Sequence, residues 1–127
     1  MRLLIVEDSE LIRKVTRLAF RGTHQLHEAA NGHEGLACLT AATEPIDAIV
    51  LDLQMPDMNG VEFLRTIRQR PAHCLIPVVV ATSETESSPL LKQVRELGVT
   101  AILKKPWKPQ ELSDVVDQAV SQARSKR

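Results

Sequence analysis

A chain of 127 residues is the length of one domain, and a domain of this size buries about two thirds of its unfolded surface, enough for a core without staples. Lysine plus arginine and aspartate plus glutamate both number 16, so the net charge is zero, which argues against nucleic acid or an anionic membrane as the main partner. No apolar run approaches the ~18 residues needed to span a bilayer, and the N-terminus runs straight into a strand pattern, so no signal peptide or membrane anchor is expected and the location is read as cytoplasmic.

Strand-like and helix-like stretches alternate five times. Leu3 to Val6 is a continuous apolar run, the pattern of a strand buried on both faces. Ser9 offers an N-cap to a helix with Leu11, Ile12, Val15, Leu18 and Ala19 on one face, and Gly22 stops it. His24 to Ala29 reads as a weaker, half-exposed strand, and Asn31-Gly32 as a turn or cap before a second helix marked by Gly35, Leu36, Leu39 and Ala42. Ile46 to Leu51 is the third strand. The helix after Gly60 carries Val61, Phe63, Leu64 and Ile67 on its apolar face, and Pro71 closes it. Ile76 to Ala81 is the fourth strand. Leu90, Leu91, Val94 and Leu97 lie on the next helix, which Gly98 ends. Val99 to Leu103 is the fifth strand. Pro109 opens the last helix, whose buried stripe is Leu112, Val115, Val116, Ala119 and Val120. The polar, basic stretch from Ser121 is either a helix end or the stub of a linker. Strands alternating with helices imply an α/β, doubly wound parallel sheet with right-handed crossovers. Ligands in such sheets bind outside the carboxyl ends of the strands.

Four apolar runs end in polar groups at that edge. They are Glu7-Asp8 after the first run, Asp52 after Ile49-Val50-Leu51, Thr82-Ser83 after the fourth strand, and Lys104-Lys105-Pro106 after the fifth. Taken singly, each is an ordinary cap, turn former or strand end. Taken together they place three carboxylates, a hydroxyl and an ammonium along one edge. Two carboxylates ~4 Å apart repel by ~4 kcal/mol at an effective dielectric near 20, so such a group needs something to offset it. A hard divalent cation such as Mg²⁺, with carboxylate, water and phosphate ligands, does so. Lys105 could then pair with a phosphate oxygen and Thr82 could donate to another. A carboxylate can serve as the nucleophile and form an aspartyl phosphate, a transfer that needs mainly positioning and charge neutralisation.

The spacing of these groups resembles the receiver domain of two-component response regulators over nearly the whole chain. Val6-Glu7-Asp8-Ser9 is similar to that family's acidic pair, and Leu51-Asp52-Leu53-Gln54-Met55-Pro56-Asp57-Met58-Asn59-Gly60 to its phosphoacceptor segment. Pro77 to Ser83 resembles its fourth strand with the switch hydroxyl, and Gly98 to Trp107 its fifth strand and Lys-Pro corner. The resemblance implies a flavodoxin-like (βα)5 fold with strand order 2-1-3-4-5, a receiver domain over residues 1–122 and a tail or linker stub over 123–127. It implies that Asp52 takes a phosphoryl group from a histidine kinase or histidine phosphotransfer protein. Mg²⁺ would be held by Asp8, Asp52 and the backbone carbonyl of Gln54, with Glu7 binding through water. Thr82 and Lys105 would contact the phosphoryl group, Gln54 and Glu84 would tune its lifetime, and Lys105-Pro106 would be a cis peptide. The product is a switch that changes binding of a downstream protein partner or an output domain, with no catalysis beyond its own phosphorylation and dephosphorylation.

The chain departs from the family pattern at Ile102, where an aromatic residue is common, and it has no tyrosine. The expectation is therefore that Thr82 passes its signal through the loop and helix from Ser83 to Leu97. Trp107 is read as a packing residue beneath the last helix. His24, His27, His33 and His73 do not form a metal site, because the first three share no helix face. Cys38 and Cys74 fit no metal spacing and are read as reduced thiols. A small-molecule phosphatase with an aspartyl intermediate would want a proton donor two residues after Asp52, where Gln54 cannot act as one. A flavin-binding domain of the same fold would want a hydroxyl- and glycine-rich loop after the first strand. A binding-only receiver usually lacks the acid pair, the acceptor or the lysine.

Overall fold

The computed structural model describes residues 1–22 and 25–125. Its elements in chain order are β1 (Arg2–Val6), α1 (Glu10–Ala19), β2 (Gln25–Ala29), α2 (Gly32–Ala41), β3 (Ala48–Leu51), α3 (Gly60–Arg68), β4 (Val78–Thr82), α4 (Pro89–Leu97), β5 (Ala101–Lys104) and α5 (Pro109–Ser125). The five strands are parallel and ordered β2-β1-β3-β4-β5. Strand order therefore reverses at β1, which leaves the carboxyl ends of β1 and β3 side by side in register, Val6 opposite Leu51.

Alternation along each strand explains why the runs are wholly apolar. Leu4, Val6, Ile49, Leu51, Val78 and Val80 pack against Leu39, Phe63, Leu64, Ile67, Leu91 and Val94 from α2, α3 and α4. Leu3, Ile5, Ala48, Val50, Val79 and Ala81 face the other way, toward Phe20, Leu112, Val116, Ala119 and Val120 at the end of α1 and on α5. Helices α1 to α4 each begin on a side-chain cap that satisfies a free amide. The Ser9 hydroxyl accepts from the Ile12 amide, Asn31 accepts from Glu34, and Asn59 and Glu62 form a reciprocal capping box on α3.

Several expectations shift. Leu11 and Leu18 are exposed rather than on a buried face, because α1 packs chiefly beside α5 and only a narrow stripe of it is covered. α3 ends at Arg68, with Gln69 as its cap, so the chain has left the helix before Pro71. β3, β4 and β5 begin two residues later than read, at Ala48, Val78 and Ala101. α5 continues past residue 122 to Ser125 without a break. The expected start of the second strand, His24, lies outside the described residues; the strand is observed from Gln25. Among the described residues no helix is long and apolar enough to cross a membrane.

Gly60 holds the loop that carries the site. Its amide donates to the Leu53 carbonyl at 2.9 Å. A Cβ at this position would lie 2.4 Å from the Asp52 carbonyl oxygen and 2.8 Å from the Leu53 Cα. Both neighbours are backbone, so neither can swing aside. Gly60→Ala is expected to cost about 1–3 kcal/mol, the range for overpacking, which urea denaturation would measure. An unchanged midpoint would mean that the loop relaxes freely.

Candidate functional site

Parallel pairing brings Glu7, Asp8 and Asp52 together from two adjacent strand ends. The Asp52 amide donates to the Val6 carbonyl at 3.0 Å and so fixes the acceptor segment against the end of β1. One carboxylate oxygen from each of the three acids lies within 4.8 Å of the others. Glu7 is 4% and Asp52 7% exposed, whereas Asp8 is open to solvent. Among the described residues this is the one group of three or more acid, histidine or cysteine side chains placed to share an ion, so His27, His33 and His73 form no such cluster. Cys38 and Cys74 are free thiols.

Lys105 supplies the counter-charge. Its Nζ donates to Glu7 Oε1 at 2.6 Å and lies 3.5 Å from Asp52 Oδ1. Burial by itself would lower the Lys105 pKa, but the Glu7 hydrogen bond and the Asp52 charge outweigh it, and the net direction is up. The other Glu7 oxygen accepts from the Ser9 amide at 3.1 Å, and the Glu7 carbonyl accepts from Arg13 Nη1 at 2.6 Å. Glu7 is therefore the anchor of the site. Arg13 has its Nε 3.4 Å from Glu28 on β2 and so braces β1 against the neighbouring strand. The sequence reading did not single out Arg13; its signal was only an arginine one turn into the helix that follows the acid pair.

Thr82 sits at the end of β4 and is 1% exposed. Its hydroxyl accepts from the Glu84 amide at 3.0 Å, and its carbonyl accepts from the Lys105 amide at 2.8 Å. The Gln54 side-chain amide donates to Glu84, which links the loops that follow Asp52 and Thr82. The Lys105–Pro106 peptide is cis. Trp107 packs on the α5 side of the sheet. It also lines a cavity of about 350 Å³ with Ile12, Val15, Lys105 and Pro106. Ile102 is half-buried on β5, an edge strand of the sheet.

The sequence profile of the response regulator receiver domain matches residues 3–117. The chain belongs to the response regulator receiver domain family. Receiver domains are switches of two-component signalling rather than enzymes in the ordinary sense. The chain is 39% identical over 105 residues to the KDP operon transcriptional regulatory protein KdpE of Escherichia coli (strain K12), covering 82% of this chain and 44% of that one. It is 29% identical over 119 residues to a chemotaxis protein CheY homolog of Campylobacter jejuni, covering 92% of this chain and 90% of that one. The solved structure of Vibrio cholerae chemotaxis protein CheY4 superposes with a TM-score of 0.83 at 31% identity, covering 93% of this chain and 97% of that one. The receiver fold thus accounts for where the three acids, Thr82 and Lys105 meet.

Within this receiver, partial desolvation by its neighbours, followed by the hydrogen bond and the charge of Glu7, pushes the exposed Asp8 carboxyl above its ordinary range. A raised folded-state pKa means that the ionised form is disfavoured by folding. Stability is then fullest below the unfolded pKa and falls as pH rises through the folded one. At neutral pH without a cation, ionised Asp8 therefore weakens the fold. Asp8→Asn is expected to raise the melting temperature in EDTA, by less than about 1 kcal/mol in stability because the group is exposed and screened. A thermal melt that drops would contradict this sign.

Proposed function

We propose that Asp52 is the phosphoacceptor of a two-component switch and takes its phosphoryl group from the phosphohistidine of a histidine kinase or phosphotransfer protein. The observation that carries the reading is the nearly buried Asp52 carboxylate held beside two other carboxylates with one ammonium, at the mouth of a parallel sheet. In the transfer, an Asp52 oxygen attacks phosphorus in line and the P–N bond to the donor imidazole breaks. The leaving imidazole keeps the bonding pair and takes up a proton. Lys105 leaves Glu7 for a phosphoryl oxygen, and the Thr82 hydroxyl donates to another.

The donor set is all oxygen and carries excess negative charge, which suits a hard cation. Asp8, Asp52 and the Gln54 carbonyl would hold Mg²⁺, with Glu7 acting through water. When bound, the ion neutralises charge on the phosphoryl group. A donor has to bring its phosphohistidine to Asp52, so it must cover the rim of the pocket. There, Ile12, Val15, Pro106 and Trp107 line an apolar cavity together with Lys105, the lysine of the acid pocket. This rim is the proposed donor face. A downstream partner or an attached output domain would read the changed state, and a cytoplasmic location fits a domain that meets histidine kinases.

Intact mass after incubation with acetyl phosphate tests the reading. One added phosphoryl group is expected on wild type with Mg²⁺, and none on Asp52→Asn or in EDTA. A gain that survives Asp52→Asn would place the acceptor elsewhere.

A further inference from the structure

Lys104 and Lys105 are neighbours at the end of β5, and alternation sends their side chains to opposite sides. Lys105 enters the acid pocket. Lys104 points away and places its Nζ 3.0 Å from Glu86 Oε1. The other Glu86 oxygen accepts from Arg95 Nη2 at 2.8 Å, near the end of α4. One carboxylate in the β4–α4 loop thus ties together that loop, α4 and β5. The Glu86 pKa is lowered, first by the Lys104 hydrogen bond and then by that from Arg95, so the carboxylate stays ionised in this arrangement.

Both ends of the Glu86–Lys104 pair are attached to groups that contact the acceptor site. Glu86 follows Thr82 by four residues, and that loop is held by the Thr82 hydroxyl on the Glu84 amide and by Gln54 on Glu84. Lys104 is opposite Thr82 in the sheet register and precedes the lysine that pairs with Glu7. Ile102, on the same strand, has no polar tip with which to relay a change. We propose that Glu86 is a latch that, through Lys104 and Arg95, holds the β4–α4 loop in its unphosphorylated position, and that loading Asp52 opens it. Thr82 and Lys105 move toward the phosphoryl group, the two ends of the pair separate, and Arg95 and Lys104 are released on the exposed face of α4 and β5. The inference rests on Asp52 being the acceptor.

Backbone amide spectra of ¹⁵N-labelled protein, with and without Mg²⁺ and beryllofluoride as the phosphoryl mimic, would test it. In unloaded Glu86→Gln, the amides from Ser83 to Leu97 are expected to lie part-way toward their positions in loaded wild type. Its phosphorylation by acetyl phosphate should run about two- to five-fold faster, the scale set by an exposed ion-pair network. That gain should vanish in 1 M salt, where the screening length is ~3 Å. Arg95→Gln should move the same amides in the same direction. Wild type that responds to beryllofluoride, together with variants whose unloaded spectra and rates match wild type, would overturn the latch and leave the acceptor standing. Wild type that does not respond would overturn both.

Discussion

Lys105→Met is expected to destabilise the metal-free protein by about 2–3 kcal/mol, and Mg²⁺ is expected to restore most of that. Among the described residues Lys105 is the one cation that touches both Glu7 and Asp52, at 2.6 and 3.5 Å. Without it the Glu7 carboxylate loses its ammonium partner and keeps the Ser9 amide and the Asp8 hydrogen bond, and three carboxylates remain with oxygens within 4.8 Å. Removing one partner of a fully buried pair costs ~3–5 kcal/mol. Lys105 keeps 20% of its side chain exposed, so a smaller loss applies here. For a chain of this length the melting temperature should fall by roughly 6–12 °C in EDTA. A divalent cation replaces the lost charge, so added Mg²⁺ should raise the melting temperature of the variant more than that of wild type. The alkaline limb gives a second check. The Lys105 pKa is raised in the fold, so its contribution is complete below the unfolded value and is lost as pH rises through the folded one. The gap between wild type and Lys105→Met should therefore persist at neutral pH and close above the ordinary lysine value of 10.5. A gap that is constant to high pH would mean that the lysine acts by packing its stem, not by its charge.

The readable part of this protein was the part written in short-range pattern. Leu3 to Val6 and Val78 to Ala81 are apolar at every position because the sheet is covered on both faces, and that burial is visible in the residues themselves. Alternation of such runs with helices carries the strand direction, and strand direction gathers Glu7, Asp8, Asp52, Thr82 and Lys105 at one edge. Pairings within the edge were not readable. The sequence pairs Lys105 with a phosphate oxygen once one is bound, but says nothing of its partner in the unloaded fold, which is Glu7, 98 residues away in sequence. Such a choice depends on shifts of an ångström, which no spacing encodes. Leu11 and Leu18 show the same limit from the other side. Helical period identifies an apolar face, but how much of it is covered depends on which helices lie beside it, and α1 packs chiefly beside α5. Arg13 and Glu86 went unread because their partners come from other strands and helices, while the sequence around each looks like an ordinary charged surface.

The bridge between Gln54 and Glu84 gives the lifetime of the proposed phosphoryl group a direction that the residue types alone do not. Each residue lies two positions after a central group of the site, Asp52 and Thr82, and their hydrogen bond spans the two loops. The Glu84 amide is held in addition by the Thr82 hydroxyl, so the bridge is tied to the switch as well as to the acceptor loop. On the proposed reading a side-chain pair placed there would narrow the approach of water to the phosphorus, because water needs an in-line path to attack. Gln54→Ala and Glu84→Ala are each expected to speed loss of the phosphoryl group by about tenfold, equivalent to ~1.4 kcal/mol of barrier. The double variant should be no faster than the faster single one, because either change removes the same bridge. Glu84→Gln keeps an oxygen able to accept from Gln54 and should stay within about twofold of wild type, a factor worth ~0.4 kcal/mol. Dephosphorylation followed by intact mass after removal of acetyl phosphate reads all four rates. Additive effects in the double variant would separate the two side chains into independent roles. A Glu84→Gln variant as fast as Glu84→Ala would assign the protection to the Glu84 charge instead of the bridge.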